Sequence, residues 1–256
     1  MTTAAAARRS LRAVVIGPGA QRALRAGAGA TAGGTVEYAF GPGGYVRFGE
    51  QHVLLAPARS PLGPLSILVA GLGRGDLVVG DPAAVTGGAL CVGPLRIECA
   101  GAREASPPRL EALSPGWRPA LRAAVEVVAP PPCALEPGLD ALAAGRLSAA
   151  VAQLAGLGEG LTPAGDDVLA GYAAWRWASG APVVLAAHRC APLGREYLRC
   201  AERGELPAPA AAVMAAIRAG DAAAAARRAA GLTEWGASSG AALLWGMAAA
   251  AVATTA

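Results

Sequence analysis

Gly156-Leu157-Gly158-Glu159-Gly160-Leu161-Thr162-Pro163-Ala164-Gly165-Asp166-Asp167-Val168-Leu169-Ala170-Gly171 is the stretch around which the chain is read. Glycines alternate at 156, 158 and 160 and end at Thr162-Pro163, which suits an N-cap followed by proline in the first helical position. Asp166 and Asp167 then fall in the first turn, where the helix dipole favours negative charge. The helix is expected to continue through Val168, Leu169, Tyr172 and Trp175. Two readings stay open. The corner is a tight capped turn between helices, or it is a site. As a site, its free N–H groups cradle an oxyanion, and its carboxylates serve as a general base or hold a Mg²⁺.

Outward from this corner the two halves differ. Residues 1 to about 10 are expected to be unstructured. Short apolar runs punctuated by glycine and proline follow: Arg12–Ile16, Val36–Phe40, Tyr45–Phe48, His52–Ala56, Ser66–Val69, Leu77–Val79, Ala89–Val92 and Leu95–Cys99. Such runs predict an antiparallel sheet or small barrel, with turns at Gly41-Pro42-Gly43-Gly44 and Gly87-Gly88. Neither Gly17-Pro18-Gly19 nor Gly71-Leu72-Gly73 opens a βαβ unit, so no dinucleotide fingerprint is read. Past Pro130-Pro131-Pro132, Leu139, Leu142, Leu147, Val151 and Leu154 recur at helical spacing. Helices are expected near 119–128, 166–179, 194–203, 208–219, 221–230 and 238–253. The fold class is α+β, with a β-rich domain over residues 1–130 and an α-helical domain over 131–256.

Hydrophobic residues make up 54% of the chain and aromatic ones 4%, so alanine and glycine carry most of the apolar count. Leu243 to Ala253 is too short to span a bilayer and reads as a buried helix. All 22 basic residues are arginine, which excludes lysine chemistry and leaves arginine as the anion clamp. They are scattered, with no interleaved aromatics, so no nucleic-acid partner and no membrane are expected. Five cysteines without paired spacing, and two histidines, indicate free thiols and a cytoplasmic protein rather than a zinc site.

Other candidates are weaker. Ser238 and Ser239, between Gly236 and Gly240, make a second helix-opening turn that is either an anion cradle or an N-cap. Arg189 and Arg195 are candidate clamps, and Glu159 reads as solvated. Arg59 and Ser60 lie in a proline–glycine loop that reads as a strand crossover, and His52 reads as structural.

The stretch from Gly156 to Gly171 resembles the motif of the uncharacterised domain family that contains the AllH subunit of oxamate carbamoyltransferase, roughly GLGxGLTPSGDDxLxG. Ala164 stands where serine is usual. The segment from His188 to Leu198 resembles a family segment of the form RTTxxSxxxL, with Cys190 and Ala191 for the threonines and Gly194 for the serine. Gly236 to Gly246 resembles GxSSGxDxLxG, with Ala242 for the aspartate. The resemblance implies a subunit of a carbamoyltransferase system in purine or allantoin catabolism. Carbamoyl phosphate and a small acid or amide such as oxamate are the implied substrates, and other subunits the implied partners. On that basis Gly158, Gly160, Thr162, Arg189, Ser238 and Ser239 hold the small anionic substrate, and Asp166 or Asp167 orients an amide nitrogen or accepts its proton. The changed polar positions leave open a non-catalytic ligand-binding or assembly subunit. The aspartate pair alone leaves open a Mg²⁺-dependent phosphotransferase or hydrolase.

Overall fold

The computed structural model describes residues 9–28, 33–107, 112–186 and 188–253. The chain divides into two compact units, Met1–Ser106 and Pro107–Ala256. Residues 1–8 of the expected unstructured start lie outside the described residues, and Arg9 and Ser10 open the first strand.

The first unit is a closed barrel. Strands β1 (Arg9–Ile16), β2 (Gly34–Phe40), β3 (Gly43–Phe48), β4 (Gln51–Pro57), β5 (Ser66–Ala70), β6 (Pro82–Thr86), β7 (Ala89–Val92) and β8 (Leu95–Glu98) run in the order β5-β4-β3-β2-β6-β7-β8-β1. β1 then pairs antiparallel with β5 and closes the ring, which removes the exposed edges of an open sheet. β4–β5 and β1–β8 are parallel, and the other ring pairings are antiparallel. The register shift in β1 between Ala13 and Val15 sits on that closing pair, where a bulge bends the strand. Alternation places Val36, Val46, Phe48, Val53, Leu55, Ile67, Val69, Leu90, Val92 and Ile97 in the core. The β6–β7 hairpin turns on Gly87 and Gly88, both at positive φ (58° and 76°), as a two-residue turn between twisted strands requires.

One expectation for this half is corrected, and three elements are added. Pro18 starts an unexpected helix, α1 (Pro18–Ala28), whose Ala20 and Ala23 join the barrel core; β1 and β2 do not pair, so it opens no βαβ unit. Leu77–Val79 is a loop: Leu77 is buried, but Val78 and Val79 are exposed. β6 and a two-residue strand, β9 (Arg103–Glu104), were not expected; β6 is short and starts at a proline, which masks its pattern. His52 is buried on β4, with Nε2 2.7 Å from Glu37 Oε2 on β2.

The second unit is helical: α2 (Trp117–Glu126), α3 (Glu136–Ala143), α4 (Leu147–Leu154), α5 (Ala164–Ala178), α6 (Pro192–Ala201), α7 (Ala208–Ala219), α8 (Ala222–Thr233) and α9 (Ser239–Ala253). The triple proline lies inside this unit, after α2, which packs on α7 and α8. The leucine periodicity from 139 to 154 belongs to two helices rather than one. They are parted at Gly145, whose φ of 71° belongs to a residue that ends a helix. Every residue of α5 from Gly165 to Trp175 is buried, so this helix has no solvent face and forms the centre of the unit. Its main neighbour is α9, itself buried over most of its length. Glycine makes their crossing close: a Cβ on Gly171 would meet the carbonyl of Leu243, and one on Gly246 the carbonyl of Val168. Among the described residues, no helix is long and apolar enough to cross a membrane.

Candidate functional site

The alternating glycines turn the chain from the end of α4 to the start of α5. Gly156, Gly158 and Gly160 all have positive φ (77°, 118° and 89°), a region open to glycine at little cost. The helix begins at Ala164, one residue after the Pro163 expected as its first position. Pro163, extended at φ −53° and ψ 145°, is the cap residue, and no side chain caps α5. Thr162 is therefore not an N-cap. Its hydroxyl turns instead to Ser239, with Oγ1 3.3 Å from Ser239 Oγ at the start of α9. The starts of two buried helices thus meet through two hydroxyls 77 residues apart in the chain.

The adjacent aspartates have different environments. Asp166 is wholly buried. Its Oδ1 accepts from the Gly156 N–H at 2.7 Å and its Oδ2 from the Ala191 N–H at 2.8 Å. One carboxylate therefore ties the glycine loop to the segment before α6. Gly194 packs so tightly on Asp166 that a Cβ there would collide with the carboxylate, so glycine at 194 makes room for this clamp. The Cys190 thiol lies beside it; burial, then Asp166, push its ionisation far above the usual thiol range.

Asp167 is 5% exposed, and its buried Oδ2 has no hydrogen-bond partner. Burial raises its carboxyl from 3.8 to about 7; the Ser239 hydroxyl opposes the rise, the charge of Asp166 adds to it, and the Thr162 hydroxyl opposes it again. An ionisable group poised near neutrality, next to two hydroxyls and two helix starts, is the arrangement expected of a binding or proton-handling centre.

The remaining candidates are distributed around this centre. Gly158 and Gly160 are exposed on the loop, and a Cβ on Gly160 would meet nothing within 4 Å. Glu159 is exposed. Ser238 is half-buried, and its carbonyl accepts from Ala242 in the first turn of α9. Arg189 is exposed, with Nη1 3.4 Å from the Ala152 carbonyl on α4. Arg195 is half-buried and donates to the carbonyls of His188 and Cys190 at 3.5 and 3.4 Å. In the other unit, Arg59 is exposed and Ser60 half-buried.

A Mg²⁺ held jointly by the two aspartates does not fit this arrangement. Both Asp166 oxygens already accept backbone N–H groups, and no cluster of three or more His, Cys, Asp or Glu suited to a metal occurs among the described residues. Reading the sequence missed two things. One is the division of labour between the aspartates; the other is the Thr162–Ser239 contact. The only sequence signal for the contact is that both residues sit at glycine-flanked helix starts.

No curated protein and no solved structure matches the chain. The segment carrying the glycine loop, both aspartates, the Cys190–Gly194 clamp and the Ser238–Ser239 turn does find a match: residues 154–251 match the family model described as oxamate carbamoyltransferase subunit AllH.

Proposed function

We propose that this chain is a subunit of an oxamate carbamoyltransferase-like system and that the corner between α5 and α9 binds its small anionic substrate. The observation that carries this reading is the unpartnered, buried Oδ2 of Asp167 beside Thr162 and Ser239. A hydroxyl pair at converging helix starts donates to an oxyanion and meets it with the positive ends of two dipoles. Gly158 and Gly160 let a ligand oxygen approach the backbone, and Ser238 offers a third hydroxyl. Arg189 exchanges its long bond to Ala152 for a ligand oxygen at the rim. Asp166 shapes the site without touching the ligand, and Asp167 contacts the substrate amide or carboxylate. In carbamoyl transfer, charge develops on oxygen as the phosphate leaves, and fixed donors of this kind stabilise it. The other partners are further subunits supplying the rest of the reaction.

A second reading, a ligand-binding or assembly subunit without chemistry of its own, is favoured by Ala242. It is fully buried in the helical core and presents no polar group where the resembling motif has aspartate.

Affinity purification of the tagged chain from its native cells, together with the subunits it retains, tests both. The proposal expects oxamate-dependent release of phosphate from carbamoyl phosphate by the retained complex, reduced at least tenfold in Ser239→Ala. Unchanged turnover in Ser239→Ala with normal assembly supports the second reading. A chain that binds neither substrate nor subunits contradicts both.

A further inference from the structure

We infer that the anion bound at the α5–α9 corner is taken up together with one proton, carried by Asp167 Oδ2, so that Asp167 serves the ligand as a neutral hydrogen-bond donor. The inference rests on the corner being the ligand site. It begins with the pair of carboxyls. Both oxygens of Asp166 accept backbone N–H groups, and Asp167 follows it directly on the same buried helix. A second anion there is opposed by the first and by burial. Among the described residues, no arginine or histidine forms an ion pair with Asp167.

The Ser239 and Thr162 hydroxyls favour its charged form in part, but no charged neighbour balances it. α9 and α4 carry no titratable group. On α6 stand Arg195, which donates to the His188 and Cys190 carbonyls, together with Glu196, Tyr197, Arg199 and Cys200. The flanking loops hold Glu159, His188 and Arg189, all exposed, and the buried Cys190. Farther along α5, Arg176 binds the Tyr172 hydroxyl. Asp166 is the charged group that acts on Asp167.

An incoming oxyanion would thus face two carboxylates if both were ionised. A proton on Oδ2 removes one of these charges and converts the unpartnered oxygen from an acceptor into a donor, alongside Thr162 and Ser239. The carboxyl is already displaced toward the neutral form, with its midpoint near 7. The proton comes from solvent and returns to it when the ligand leaves.

Calorimetric titration of the full chain with oxamate, and separately with sulfate, tests this, since neither probe itself titrates near neutrality. Affinity is expected to fall about tenfold from about pH 6 to about pH 8. At the higher pH, uptake should approach one proton per ligand when measured in two buffers of different ionisation enthalpy. This readout needs no variant. Asp167→Asn, which is neutral and keeps a donor, should bind with an affinity independent of pH. Affinity that is flat or rises with pH in the native protein, binding that needs Mg²⁺, or a slope that survives Asp167→Asn overturns the inference but leaves the site standing. No binding of either anion at any pH overturns the site as well.

Discussion

Asp166→Ala removes the clamp between the glycine loop and the segment leading into α6. The structure sets the size of the effect. Two charge-assisted bonds, at 2.7 and 2.8 Å, are lost from a fully buried carboxylate, and two N–H donors lose their acceptor. Bonds of this class contribute about 1.5–3 kcal/mol each. Gly156 is exposed and Ala191 half-buried, so water can reach the freed donors and moderate the loss. The dipole contribution of a first-turn carboxylate adds about 0.3–1 kcal/mol. The expected loss is about 3–5 kcal/mol, or roughly 6–20 °C in the melting of a unit this size. All five tryptophans lie in the second unit, so urea unfolding followed by their fluorescence reports on it without the barrel. Asp166→Asn retains one acceptor and should lose about half as much. A loss below about 1 kcal/mol for Asp166→Ala would refute the clamp, since one such bond alone exceeds it.

Asp167 acts in the opposite sense. Its carboxyl is raised from 3.8 to about 7 in the folded chain, so its contribution to stability is fully present below about pH 4 and is lost as pH rises through 7. Melting across this window should show a decline of a few kcal/mol that Asp167→Asn abolishes, and the variant should melt higher than the native protein at about pH 8. Gly171→Ala and Gly246→Ala each drive a methyl into a backbone carbonyl at the α5–α9 crossing and should cost about 1–3 kcal/mol or more in the same urea assay. All five cysteines are free, so thiol titration of the denatured, unreduced protein should count five; in the native state exposed Cys133 should react first and buried Cys91, Cys190 and Cys200 last.

The barrel was legible as short apolar runs bounded by glycine. Val36-Glu37-Tyr38-Ala39-Phe40 alternates in sequence, Gly41 follows it at the turn into β3, and Gly87-Gly88 marks the β6–β7 turn. What was not legible is closure. The β1–β5 and β1–β8 pairings join segments more than fifty residues apart, and no local pattern encodes them. α1 was missed because its Gly19, Ala20 and Ala23 bury small side chains that leave little apolar signal. In the second unit, the expected starts of α5, α6 and α9 lay within two residues of those observed, because proline or serine marks each of them. The site was half legible. Residue type and spacing singled out Asp166 and Asp167, but nothing local tells which carboxylate is saturated. That depends on the N–H of Ala191, 25 residues away, and on Ser239 being brought to Thr162 by the glycine contacts between α5 and α9.

The central claim, that Thr162, Ser239 and Asp167 form a ligand site, is tested most directly by equilibrium binding of oxamate to the isolated chain at about pH 6. The comparison is native protein against the double variant Thr162→Ala/Ser239→Ala. Both hydroxyls donate to the ligand in this account, and each net bond is worth about 1 kcal/mol, so affinity should fall by about tenfold or more while melting changes little. Equal affinity in the two proteins, with both folded, would contradict the assignment and leave the corner a packing device.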